Sequence, residues 1–127
     1  MTKLELTWIA GFYEGEGSAG FYRINRNRGH KLYKSYRLMV GISQIEKSIL
    51  TWIKNTVEMG SIGTWKNNKR NQYGWKCKPI YRFCLANDMA RRFLKLILPY
   101  MKAKHKIKQA KEALAKDKKY ILGRWHD

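Results

Sequence analysis

Acidic residues are scarce in this chain: nine Asp and Glu stand against twenty-seven Lys and Arg in 127 residues, a formal charge of +18. Self-repulsion on that scale serves no folding purpose, so the imbalance points to a polyanionic partner. There is no apolar run approaching the roughly 20 residues that span a bilayer, and Met1-Thr2-Lys3-Leu4 does not read as a signal peptide. A membrane is therefore set aside, and nucleic acid is the expected partner. Cysteine is nearly absent too. Cys77 and Cys84 form no CxxC pair, and His30, His105 and His126 are scattered, which excludes a zinc site and a disulfide framework. A reducing, intracellular setting is expected, with an organelle (chloroplast or mitochondrion) and a prokaryotic cytoplasm both open. No internal repeat occurs, and the length suits one domain over residues 1–127.

Periodicity orders the elements. Leu6, Ile9 and Tyr13 fall at helical spacing between Lys3 and Tyr13. Ser18 to Arg28 is strand-like with Arg26 to His30 read as the turn at its tip, and Tyr33 to Gln44 alternates as a strand. A second helix is expected over Glu46 to Glu58, closed by Gly60. A second hairpin joins Ile62 to Lys66 with Trp75 to Leu85 around the polar tip Asn67 to Asn71. Further helices are expected over Asp88 to Tyr100 and Lys104 to Lys116. The order α-β-β-α-β-β-α-α predicts an α/β layer architecture, a curved antiparallel sheet with helices on one face.

The alternation also predicts what the other face carries. If Ala19 and Phe21 face the helices, then Tyr22, Ile24, Arg26 and Arg28 face outward. Ser35, Arg37 and Met39 do so on the next strand, as do Lys76, Lys78, Ile80 and Arg82 on the last. This set is basic or neutral, with no acid. A two-stranded ribbon of this kind fits a DNA major groove, where Arg can pair with guanine. The plainer reading is a soluble Lys-rich surface. Trp52, Met59, Phe93 and Met101 are expected in the core, and most of the lysines from Lys102 to Lys111 as solvated surface or phosphate contacts.

The densest signal is Trp8 to Phe21, WIAGFYEGEGSAGF. Ala10, Gly11 and Gly15 would let two helices approach closely, and Glu16 closes the helix where unpaired carbonyls make the potential negative. Two copies packed through those small residues would bring two Glu16 carboxylates together. Like charges so confined take up a proton or share a cation, and Mg²⁺ suits carboxylate, water and phosphate oxygens. Ordinary solvated acids are the alternative for Glu14 and Glu16.

Residues Ile9 to Gly17, IAGFYEGEG, resemble the nine-position signature of the LAGLIDADG homing endonucleases. Ile42-Ser43-Gln44, Ile49-Leu50 and Met59-Gly60 resemble the family's strand-Gln-helix-Gly segment. Leu98-Pro99-Tyr100 with Lys104 resembles its Pro-aromatic segment with a downstream basic residue. The likeness covers residues 4 to 115. It implies an αββαββα fold of LAGLIDADG type and a Mg²⁺-dependent, site-specific DNA endonuclease. It implies further that Glu16, Gln44 and Lys104 are catalytic, with the metal held at Glu16 and Gly15. A single signature per chain implies a homodimer joined through Ala10, Gly11, Glu14 and Gly15. Such a dimer would cut double-stranded DNA at a long pseudo-palindromic site, leaving 3′ overhangs. Glutamate replaces the commoner aspartate at positions 14 and 16, and Ser48 stands where some relatives carry a basic residue. An RNA maturase and a non-catalytic DNA-binding regulator are the alternatives on the same scaffold.

Overall fold

The first helix is set by its cap. Thr2 Oγ1 accepts from the Glu5 N–H at 3.1 Å while Glu5 Oε1 accepts from the Thr2 N–H at 2.8 Å, so two otherwise orphan donors are satisfied reciprocally. Those hydrogen bonds from Thr2 hold the Glu5 carboxyl below its ordinary pKa. The computed structural model describes residues 1–29, 31–65 and 72–124, with the side chains of Arg28 and Trp65 outside that description. In it α1 runs Lys3–Glu16 and buries Leu6, Ile9, Ala10 and Tyr13 along one stripe.

The strands β1 (Gly17–Arg28) and β2 (Lys31–Gln44) form a long antiparallel hairpin with Gly17 opposite Ile42 and Arg28 opposite Lys31. Helix α2 (Lys47–Val57) follows, ended by Glu58 in the left-handed region. Then come β3 (Ser61–Trp65), β4 (Ile80–Ala86), α3 (Asp88–Ile97), a 3₁₀ turn at Leu98–Tyr100 and α4 (Lys104–Ile121). The sheet order is β1-β2-β4-β3, with every neighbouring pair antiparallel. This is the expected α/β order, with helices on one face of an open sheet.

One face of that sheet makes the core. Ala19, Leu38, Val40, Ile42, Phe83 and Leu85 meet Ile9, Tyr13, Leu50, Ile53, Phe93 and Ile97 from the helices. Tyr13 and Phe83 both set their rings edge-on to Phe93, at 6.1 Å between centroids. Phe21 stacks on Tyr36 at 5.5 Å, and Tyr120 of α4 closes over both.

Several boundaries move from the sequence reading. The strand ends at Arg28 as expected, but Arg26 to Arg28 are paired in β1 and are not part of the turn, because cross-strand pairing carries the hairpin to Gly29, whose φ of 64° suits glycine. Lys76 and Lys78 precede β4 instead of lying within it: apart from a single bridge pairing at Lys76 this stretch is irregular, and Pro79 has no N–H to add to the ladder. Pro99 likewise stops α3 at Ile97. Helix α4 runs five residues past its expected end. Trp52 is not core; it is 39% exposed and meets Trp8 edge-on at 5.1 Å. Phe93 and Met101 are buried and Met59 is partly buried, as expected. The expected tip Asn67 to Asn71, Lys66 and His30 lie outside the described residues.

Candidate active site and nucleic-acid interface

Three chain segments converge where α1 hands over to β1. Glu16 is the last residue of α1 and is exposed, with no hydrogen-bond or ion-pair partner among the described residues. The last turn of α1 holds no basic residue to offset it. Gly17 sits against the Tyr13 ring so closely that a Cβ there would collide with it. Only glycine lets the chain leave the helix directly into the sheet at this point.

The register then brings Gln44 alongside. Ile42 is the Cα partner of Gly17, and Gln44 lies two residues further along β2, half-buried, its Oε1 accepting from the Ile45 N–H at 2.9 Å. The third segment is the start of α4, whose first residue is the exposed Lys104. Its N-cap is Ala103, which has no capping side chain. Glu14 supplies the cap from α1: its carboxylate accepts from the Lys102 N–H at 2.8 Å and from the Ala103 N–H. Lys106, two residues past Lys104, donates to the Gly17 carbonyl, and Gln109 Oε1 accepts from the Ala19 N–H at 3.5 Å. Glu16, Gln44 and Lys104 thus stand on three elements whose ends meet at one corner.

Lys106 is the site residue that the sequence reading missed. It lay in a run of lysines assigned to solvated surface or phosphate contact, and its two-residue offset from Lys104 carries no helical signal. The contact of the Glu14 carboxylate with the start of α4 is a second feature the sequence reading did not supply. Ala10 is fully buried in the chain's own core, so it presents no surface to a second chain. Gly11 and Gly15 are exposed, and a Cβ at either would meet nothing within 4 Å.

A divalent metal fits the donor chemistry of this corner only in part within one chain. Glu16 offers a single free carboxylate, and the described residues hold no group of three metal-capable side chains. Hard cations such as Mg²⁺ and Ca²⁺ accept carboxylate, carbonyl, water and phosphate oxygens together. Glu16 and the Gly15 carbonyl suit that class, with the remaining positions left for oxygens from outside the chain.

The second face of the sheet runs out from the same corner. The register pairs Tyr22 with Arg37, Ile24 with Ser35, Gly20 with Met39 and Ser43 with Arg82, so these residues share one face. Tyr22 and Arg26 are exposed, while Ser35, Arg37, Met39 and Arg82 are half-buried. The Arg82 side chain lies across Gly41, where a Cβ would collide with its guanidinium. Ile80 opens β4 on the same face, paired with Trp65. Lys31 and Tyr33 belong there as well, opposite Arg28 and Arg26; continuing the alternation back from Ser35 would have found them. Lys76 and Lys78 are exposed on the segment before β4. No Asp or Glu lies on this face in any of the four strands.

Among known proteins, neither a protein-family model nor a curated protein sequence matches the chain. Solved structures do. The homing endonuclease I-CvuI, in complex with DNA, superposes with a TM-score of 0.72 at 25% identity over 96% of this chain and 71% of that one. The group I intron-encoded homing endonuclease I-CeuI, complexed with DNA, gives 0.66 at 15% identity over 95% of this chain and 57% of that one. An archaeal intron-encoded homing endonuclease, I-Vdi141I, also complexed with DNA, gives 0.65 at 19%, over 94% and 70%. At the lower identities the likeness is one of fold. Taken with the signature helix ending at Glu16 and the open sheet that continues from it, these matches give the chain the fold of the LAGLIDADG homing endonucleases and support its resemblance to that family.

Proposed function

We propose that this chain is a sequence-specific homing endonuclease that acts as a homodimer and makes a double-strand break in a long pseudo-palindromic DNA site. The observation that carries this reading is the free, exposed Glu16 carboxylate at the corner where α1 meets an acid-free sheet face. A two-fold dimer reads two equivalent half-sites, one on each sheet, and brings its two Glu16 side chains to the centre. Tyr22, Ile24, Arg26, Ser35, Arg37, Met39, Ile80 and Arg82 face the groove, with Lys76 and Lys78 on the segment leading into β4.

Within each active site Glu16, with the Gly15 carbonyl, holds a divalent cation, for which Mg²⁺ is the proposal. When bound, such an ion activates water and stabilises the leaving oxygen of a phosphodiester. Gln44 orients water by its amide, and the ammonium of Lys104 lies near the phosphate, where it offsets the charge that develops in the transition state. Each site cuts one strand, leaving 3′ overhangs as the family resemblance implies. Intron homing, in an organelle or a prokaryote, is the biological setting proposed.

The test is cleavage of a randomised duplex library with Mg²⁺, with wild type beside Glu16→Gln, and sequencing of the cut ends. One pseudo-palindromic site cut only by wild type is the expected result. Binding without cutting by both proteins would identify a DNA-binding regulator instead.

A further inference from the structure

The positive charge of this molecule is not confined to the face that would read DNA. Residues 88 to 121, which form α3 and α4, hold eleven Lys and Arg against three acids. Two of those acids are already committed. Asp117 is 3% exposed and receives the Arg91 Nε–H at 2.7 Å and an Nη2–H at 3.2 Å; Asp88 pairs with Arg91 at 3.2 Å and Arg92 at 3.8 Å. These helices lie over the core face of the sheet, as Tyr120 on Phe21 and Tyr36 demonstrates. Apart from the first turn of α4, which carries Lys104 and Lys106 to the corner at Glu16, these helices are out of reach of a duplex laid along the opposite face. Their excess charge therefore calls for a polyanion of its own.

The outer side of the two helices supplies a shaped place for one. A groove of about 490 Å³ runs between α3 and α4, inside the size range of small-ligand clefts, about 300–1,000 Å³. Lys95, Lys111 and Lys118 stand around it, and Leu114, Ile121 and Leu122 form its apolar floor. Ile121 and Leu122 remain 58% and 55% exposed. A purely phosphate-binding surface has no use for that floor, and a purely apolar contact has no use for the three ammonium groups.

We propose that the α3–α4 groove binds a single strand of nucleic acid, an unstacked base resting on Leu114, Ile121 and Leu122 while Lys95, Lys111 and Lys118 take the flanking phosphates. A paired duplex turns its bases inward and offers such a floor nothing, whereas an unpaired strand exposes base faces that apolar side chains can cover. This site is independent of the sheet face and of Glu16, so it stands whether or not the chain cuts DNA.

Two full-length variants test it against a labelled oligothymidylate, which forms no duplex with itself, and a mixed-sequence duplex. Ile121→Ser with Leu122→Ser leaves the charge unchanged and alters only exposed positions. It is expected to weaken oligothymidylate binding roughly fivefold or more and leave duplex binding as it was. Neutralising Lys95, Lys111 and Lys118 to Gln is expected to flatten the salt dependence of oligothymidylate binding by about 2 in log–log slope. An unaltered oligothymidylate affinity in the serine variant overturns the proposal, as does an equal loss on the duplex. Concentration-dependent self-association abolished by the serine variant would give the groove to a second copy of the chain and overturn it too.

Discussion

The carboxylate of Glu14 on α1 caps α4 at Ala103, a residue 89 positions away in the chain. Helix N-termini carry unpaired N–H groups and a partial positive charge, so an acid there is stabilising. Because the cap comes from the helix that also carries Glu16, it fixes Lys104 relative to that acid. Glu14→Ala is expected to cost about 0.5–2 kcal/mol of stability, the range of a lost cap. It should also lower cleavage more than DNA binding, since it loosens the placement of Lys104. Urea unfolding beside single-turnover cleavage checks this; Glu14→Gln, which keeps one acceptor oxygen, should recover most of the stability. Full stability in Glu14→Ala would mean the cap is idle.

That cap also illustrates the limit of reading the chain alone. The element order, the helix end at Glu16 and the alternation along β1 and β2 were legible, because local periodicity and small-residue spacing decide them. The partner of Glu14 was not, since a contact across the fold leaves no trace in spacing. Arg26 and Arg28 were read as a turn because Arg, Asn and Gly are turn-like locally, yet twelve paired positions carry the ladder through to Arg28. The stop at Pro79 and the stop at Pro99 had a local signal, the missing proline N–H, that periodicity overrode. Trp52 looked like core because aromatics usually are; its ring lies instead with Trp8 beside the exposed Leu4.

Tyr13 is fully buried, and its hydroxyl has no hydrogen-bond partner among the described residues. Burial drives its pKa above the ordinary tyrosine value, with the nearby Tyr22 adding to the shift. A buried unsatisfied hydroxyl costs about 1–3 kcal/mol, while the ring itself packs on Phe93 and closes over Gly17. Tyr13→Phe keeps the ring and removes the oxygen. It is expected to raise the urea midpoint and leave cleavage unchanged; a lower midpoint would reveal a partner for the hydroxyl.

Asp117 and Arg91 join α4 to α3, and hydrogen bonding to Asp117 holds the Arg91 guanidinium above its ordinary pKa. Removing one partner of a largely buried pair strands the other, at a cost of about 3–5 kcal/mol. Arg91 is partly exposed, so Asp117→Ala should fall at or below the low end of that range. The double change Asp117→Leu with Arg91→Met should recover much of the loss, because the pair's desolvation is removed along with its attraction. Thermal unfolding of the single and double variants measures the difference. An equal loss in both would place the energy in packing and not in charge.

Gly11 and Gly15 pose a question that one chain cannot answer. Each sits inside α1, where glycine is less favourable than alanine by about 1 kcal/mol, and neither has a neighbour within 4 Å of the missing Cβ. Among the described residues nothing within a single chain requires them. A second α1 packed against this face would, because bare backbone lets two helices approach closely. Gly11→Ala with Gly15→Ala is therefore expected to stabilise the isolated chain by up to about 1 kcal/mol per site and to shift self-association toward monomer. Sedimentation equilibrium and urea unfolding, run on the same preparation, separate the two effects. If self-association is unaffected, any contact between copies lies elsewhere. The exposed apolar surface of Leu4, Trp8 and Trp52 would then be the next place to look for it, because it continues the same side of α1.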